Sequence, residues 1–345
     1  MLLITLTGLA ALLALAGLFQ FAGSWRDARR YPAPGRRLDI GGRCLHARLE
    51  GSGDPPVVFE AGISASSINW TIIQQAVARH TSTCAYDRAG LAWSDPPRGA
   101  FTVDAMLADL GALLDSLYPG RACVLVGHSF GGLLIRLFAE RHPERVAGIV
   151  LVDAVLATSW ANPNPFRARI KRKGIRLARY GAWAARLGLV RLVTSPMLIR
   201  SVVLPRFGGE KAAPGSLIGR MQKELSKFPP ETLPAIRAHW SRPHTFQAMT
   251  AHLHALDQSF AALGEKPLHC PVVVISAGNT PPAGMAEHRA IAALSPQGEH
   301  VIAHSSGHWI QLDEPDLVVD AILRCCRKAS YEAGRDTDAN ADRSW

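Results

Sequence analysis

The sequence predicts an α/β fold, a mainly parallel, twisted sheet with helices on both faces. Two observations predict it. After the first segment, apolar strand-like runs alternate with helix-like segments along the chain, and such alternation places helices over both faces of a parallel sheet. The chain has 345 residues, 48% of them hydrophobic, enough for a sizeable core in one large domain or a domain with an insert.

Met1 to Trp25, "MLLITLTGLAALLALAGLFQFAGSW", carries no charged residue. About 20 such residues in a helix cross a ~30 Å hydrocarbon core. As an anchor, its positive charge falls only on the C-terminal flank (Arg26, Arg29, Arg30, Arg36 and Arg37), which puts the following domain on the cytoplasmic side. As a signal peptide cleaved at Ala22-Gly23-Ser24, it would instead send the domain to the periplasm or the exterior. A signal peptide wants a basic n-region and a shorter apolar core, and this stretch has neither, so the anchor is preferred.

Next come two strands, "RRLDIGG" and "CLHARLEG", joined at Gly41-Gly42 as in a hairpin. Pro55 to Gly62 forms a buried strand ending in Gly. A short helix covers Ile72 to Ala78, and "TSTCAYDRAG" gives a strand and turn. Val103, Met106, Leu107, Leu110, Leu113, Leu114 and Leu117 mark an amphipathic helix. "ACVLV", "VAGIVLVDA", "CPVVVISAG" and "EHVIAHSSGH" supply four more strands. A last helix begins at Pro315, with Leu317, Val318, Ile322 and Cys325 on one side. The expected organisation is thus an anchor or signal segment at 1–25 and a core in two parts, 31–155 and 269–328. A helical insert at 156–268 interrupts the core, and a polar, disordered tail fills 329–345.

The net charge of +10 suggests anionic neighbours. Within the insert, Phe166 to Arg191 holds nine Lys or Arg and no Asp or Glu. It reads as a solvated basic helix or as a surface against anionic lipid. No aromatic-interleaved basic motif, helix-turn-helix or zinc finger points to nucleic acid. The six cysteines make no C-x-x-C pair and read as buried free thiols. His252 and His254 lack a third ligand at metal spacing and read as solvated helix residues. No metal or cofactor is expected, and oligomeric state is left open.

The chemistry concentrates at "VGHSFGG". A strand ends, Ser129 sits on a corner only a few residues long, and a helix begins. Gly127 and Gly131 flank it where larger side chains would clash. A serine hydroxyl needs a base to take its proton, and the base needs an acceptor on its other nitrogen. His308 follows a strand and Gly307, so it reaches the sheet edge where Ser129 projects. His128 is read as packing.

These residues resemble the α/β-hydrolase superfamily over roughly Tyr31 to Lys328. Gly127-His128-Ser129-Phe130-Gly131-Gly132 is similar to the nucleophile elbow of that family. "YDRAGLAWSD" is similar to its loop after the fourth strand, and "SGHWI" to its histidine turn. The resemblance implies that the insert is a helical cap. It implies an acid just after the seventh strand in many relatives, but here that turn, Ser276 to Met285, has no carboxylate. Asp153, after the sixth strand, stands where some haloalkane dehalogenases keep theirs, and Glu287 is the reserve. The implied oxyanion hole uses the N–H groups of Phe130 and Ile63. Ala61-Gly62 replaces the His-Gly often found there, and Ala92 replaces a frequent Gly.

The resulting expectation is a membrane-anchored serine hydrolase acting on an ester, with Ser129, His308 and Asp153 as triad. C–C bond hydrolysis, amide cleavage and haloperoxidase-like activity use the same residues. A ligand-binding receptor on the same scaffold is the reading from another class. A Ser in place of an Asp nucleophile argues against epoxide hydrolase and dehalogenase chemistry.

Overall fold

The computed structural model describes residues 1–160, 165–194, 224–264 and 266–341. Eight strands form one sheet: β1 (Arg36–Asp39), β2 (Cys44–Glu50), β3 (Val57–Glu60), β4 (Thr83–Tyr86), β5 (Cys123–His128), β6 (Val146–Val152), β7 (Val272–Ala277) and β8 (Glu299–Ala303). Their order is β1-β2-β4-β3-β5-β6-β7-β8. β2 runs antiparallel to both neighbours, and every other pair from β4 to β8 is parallel. The β1–β2 turn falls at the glycine pair: Gly41 and Gly42 have φ of 96° and 86°, and their N–H groups donate to Asp39 Oδ1 at 2.9 and 2.7 Å.

The uniformly apolar runs have a simple cause. Side chains alternate across a strand, so each central strand feeds two cores. Val58, Leu125, Ile149, Leu151 and Val274 pack with the helices Val103–Leu117 and Phe130–Arg141. Val57, Phe59, Val124, Val126, Val150 and Ile275 pack with Trp70, Ile73 and Val77, and with Val318, Ile322 and Cys325 of the last helix. Thr102 caps Val103–Leu117, its Oγ1 accepting from the Ala105 N–H at 3.1 Å.

The chain divides into two compact units. One comprises Pro34–Arg172 and Ala251–Trp345 and holds the whole sheet. The other comprises Met1–Ala33 and Lys173–Thr250. Among the described residues no strand lies between Val152 and Val272; the helices there are Ala157–Trp160, Pro165–Arg186, Leu189–Val193, Leu233–Trp240 and Pro243–Ala262. The N-terminal helix, Leu2–Arg30, is long and apolar enough to cross a membrane and extends five residues past Trp25. The last helix runs from Pro315 to Ala341, through most of the stretch expected to be a disordered tail. Its packed residues Val318 to Ala329 provide the nucleus, and each further turn then costs little to add.

Candidate active site

Ser129 stands between the end of β5 and the helix Phe130–Arg141, with φ 55° and ψ −120°. That left-handed backbone is unfavourable for a residue with a Cβ, and the corner around it is correspondingly tight. A Cβ on Gly127 would lie 2.6 Å from backbone atoms of Gly131 and Gly132, and one on Gly131 would enter the backbone of Glu60 and Ala61. The Ser129 N–H donates to the Val152 carbonyl at 3.0 Å, so the corner is tied to the end of β6.

Asp153 follows β6 directly, with φ 41°. Its N–H donates to the Ile275 carbonyl at 2.8 Å. Its carboxylate receives Nδ1–H of His308, Nδ1 to Oδ2 being 2.6 Å, and Nε2 of His308 accepts from Ser129 Oγ at 3.1 Å. The structure thus brings Ser129, His308 and Asp153 into one hydrogen-bonded line. Burial raises the Asp153 carboxyl, but the hydrogen bond and charge of His308, with the Ala277 N–H, outweigh it and hold the group below its ordinary value. Glu287 is elsewhere: its carboxylate accepts from the N–H groups of Ala157 at 2.6 Å and Thr158 at 2.9 Å, capping a short helix.

Phe130 opens the helix after Ser129 with its ring fully buried, and Ile63 follows Gly62 on the loop leaving β3. That loop runs close to the serine: a Cβ on Gly62 would lie 3.4 Å from Ser129 Cβ and 3.1 Å from His128 Nδ1. His128 does more than fill space. Its Nε2–H donates to the His308 carbonyl at 2.7 Å, which ties the histidine turn to the elbow. Burial, then the charge of His308, pushes His128 down to about 3, so it is neutral at pH 7.

Sequence reasoning passed over a second buried cluster. Arg88 is 4% exposed; its guanidinium donates to Glu60 and to the carbonyls of Ala61 and Gly62, and Tyr86 donates its hydroxyl to Glu60. His252, expected to be solvated, is fully buried beside this group, with Nε2 3.5 Å from Arg88 Nε and its ring 5.4 Å from that of Phe130. The long helix Pro243–Ala262 turns this position inward, while His254 is exposed. The signal available was "YDRAG", where the charged pair Asp87-Arg88 directly follows an apolar strand. Ala92 holds φ 41°, the conformation that favours the glycine it replaces. Among the described residues no group of three His, Cys, Asp or Glu is placed to hold a metal.

A family model for the alpha/beta hydrolase fold matches residues 55–187. A 2-hydroxy-6-oxo-2,4-heptadienoate hydrolase of Pseudomonas putida is 35% identical over 125 residues, 35% of this chain and 45% of that protein. The first curated relatives are matched over less than half of their own length. The mouse sn-1-specific diacylglycerol lipase ABHD11 is 24% identical over 272 residues, covering 78% of this chain and 80% of that one. Among solved structures, an esterase of Thermogutta terrifontis superposes with a TM-score of 0.57 at 23% identity, over 85% of this chain and 97% of that one.

Proposed function

We propose that this chain, whose fold is that of the α/β hydrolases, is a serine hydrolase that cleaves a carboxylic ester through an acyl-enzyme. The observation that carries the reading is the Ser129–His308–Asp153 line, with hydrogen bonds of 3.1 and 2.6 Å at an elbow whose serine has φ 55°. Ser129 Oγ attacks the ester carbonyl carbon while its proton passes to His308 Nε2. The oxyanion so formed accepts hydrogen bonds from the N–H groups of Phe130 and Ile63. The carbon–oxygen bond to the alcohol then breaks, and His308 returns the proton to the leaving oxygen. Water repeats the sequence, its proton going to His308, and releases the acid. Asp153 stays ionised throughout, fixing the tautomer and stabilising the imidazolium.

A lipid-like ester is the substrate class we favour, on the broad coverage of a relative named as a diacylglycerol lipase. Retention at a membrane fits it. Gln20 Nε2 donates to the Ser241 carbonyl at 2.9 Å, and Arg191 pairs with Asp27 and donates to Gln20 Oε1 and Ser24 Oγ, each at 3.2 Å. Cleavage near Ser24 would discard these contacts, so we read Leu2–Arg30 as a retained anchor. Its Arg-rich flank favours the cytoplasmic side. In the same unit Leu177, Tyr180 and Trp183 are exposed among Lys173, Arg176, Arg179 and Arg186, a composition suited to anionic lipid at ~1 kcal/mol per basic residue.

The test is covalent labelling of Ser129 by a fluorophosphonate, together with turnover of short p-nitrophenyl esters that disappears in Ser129→Ala. A second reading, C–C bond hydrolysis on the same residues, is favoured by the Pseudomonas relative. Cleavage of a vinylogous diketone with no ester turnover would select it.

A further inference from the structure

Ala61 and Gly62, which precede Ile63 on its loop, carry no polar side chain, so that stretch is held through its carbonyls. The Gly62 carbonyl accepts from the Ala65 N–H at 3.3 Å and from the Arg88 guanidinium, and the Ala61 carbonyl accepts from the same guanidinium. Arg88 is in turn fixed from behind. Glu60 takes its Nη1, Tyr86 holds the other oxygen of Glu60, His252 Nε2 faces its Nε at 3.5 Å, and the Phe130 ring lies 5.6 Å from its centre. An arginine presents its donors in a planar, rigid fork, so two adjacent carbonyls on one fork are set in direction as well as in place.

Peptide planarity carries this into the site. In a trans peptide the C=O and the next N–H point to opposite sides. With the Gly62 carbonyl held on Arg88, the Ile63 N–H faces away from the guanidinium. The approach of Gly62 to Ser129, with a hypothetical Cβ 3.4 Å from the serine Cβ, identifies the nearby group on that loop. We propose that Arg88 is the positioning residue of the oxyanion loop, aiming the Ile63 N–H at the oxygen that becomes negative when Ser129 attacks. The proposal rests on the serine-hydrolase reading.

Arg88→Lys keeps the charge beside Glu60 but loses the two-carbonyl fork. In the full-length protein in detergent, with p-nitrophenyl butyrate, kcat is expected to fall about 10- to 100-fold, below the loss from deleting a donor outright, with KM unchanged. The pH midpoint of kcat/KM should stay at the wild-type value, because Ser129, His308 and Asp153 are untouched. A folded Arg88→Lys enzyme with wild-type kcat, or with its loss confined to KM, overturns the proposal. If Arg88→Lys does not fold, the Glu60→Gln/Arg88→Met pair removes both charges together and avoids an unpaired buried carboxylate; the same criteria apply to it. Ser129→Ala is measured alongside. If it retains turnover, the serine-hydrolase reading falls and takes the proposal with it. If Ser129→Ala is inactive and the Arg88 variant matches wild type, the clamp alone is wrong.

Discussion

Oδ2 of Asp153 lies 2.6 Å from Nδ1 of His308, across 155 positions of chain. Both residues stand just past the carboxyl ends of parallel strands, β6 and β8, where the edges of such a sheet gather functional groups. Asp153→Asn preserves the shape but offers an amide in place of an ionised acceptor, favouring the wrong tautomer of His308. Loss of at least ~10²-fold in kcat is expected, with little change in KM; the matching change in a serine protease lowers kcat by about 10⁴. Glu287→Gln is the control. Its carboxylate caps the helix Ala157–Trp160, so it should lower stability by about 1 kcal/mol and leave kcat alone. The reverse pattern in steady-state kinetics would move the acid to Glu287.

Gly127→Ala should be among the most damaging single-methyl changes in the molecule. The new Cβ would sit 2.6 Å from backbone atoms of Gly131 and Gly132, and backbone cannot yield as a flexible side chain can. The elbow must open, Ser129 leaves its position 3.1 Å from His308 Nε2, and both kcat and the melting temperature fall. Gly120→Ala has space around its Cβ but φ 69°, so it costs only the local strain, about 1–2 kcal/mol, and keeps activity. Thermal melts of the two variants side by side check this.

Stability should decline on the acid side of neutrality. Burial, then the charge of His308, lowers His128 to about 3, whereas an unfolded histidine titrates near 6.5. Between those values the unfolded chain binds a proton that the folded chain refuses, so stability rises with pH across that window and is lost as pH falls through it, by about 1.4 kcal/mol per unit from this residue. Burial shifts His252 and His288 in the same direction. Urea melts at pH 7, 6 and 5 should show falling midpoints. His128→Asn should flatten the slope and weaken the hold on the His308 carbonyl; an unaltered slope would remove His128 from the account.

The sheet was legible because its chemistry is local: a buried parallel strand must be apolar on both sides, and VLV or VVV runs can do little else. The serine corner and the histidine turn were legible for the same reason, since each is set by residues adjacent in sequence. The Arg88 cluster was not. A charged residue among strand-end residues reads as exposed until the fold brings Glu60, the Ala61 and Gly62 carbonyls and His252 around it, and that convergence comes from three separate stretches of chain. His252 and His254 illustrate the limit further. Two positions apart on one helix, one is fully buried and the other exposed, and only the neighbours decide which.

The N-terminal helix supplies the last prediction. Gln20, Gly23 and Asp27 are its buried residues, and they meet Arg191 and Ser241 rather than solvent. A helix that merely directs export has no need of such a face, because it is removed before the domain works. The full-length protein should therefore stay with membranes through carbonate extraction, and intact-mass analysis should find residues 1–25 still attached. Deleting Met1 to Trp25 leaves Ser129, His308 and Asp153 untouched in the other unit, so turnover of short p-nitrophenyl esters should persist in a soluble protein. It strips Gln20 Oε1 and Ser24 Oγ from Arg191 and the Gln20 donor from the Ser241 carbonyl, leaving buried polar groups unsatisfied, each at about 1–3 kcal/mol. Residues 173–194 and 224–250 should then be cut early in limited proteolysis, and the full-length protein should resist at the same sites. A mature N-terminus near Trp25, with no change in proteolysis on deletion, would make the segment a signal peptide instead.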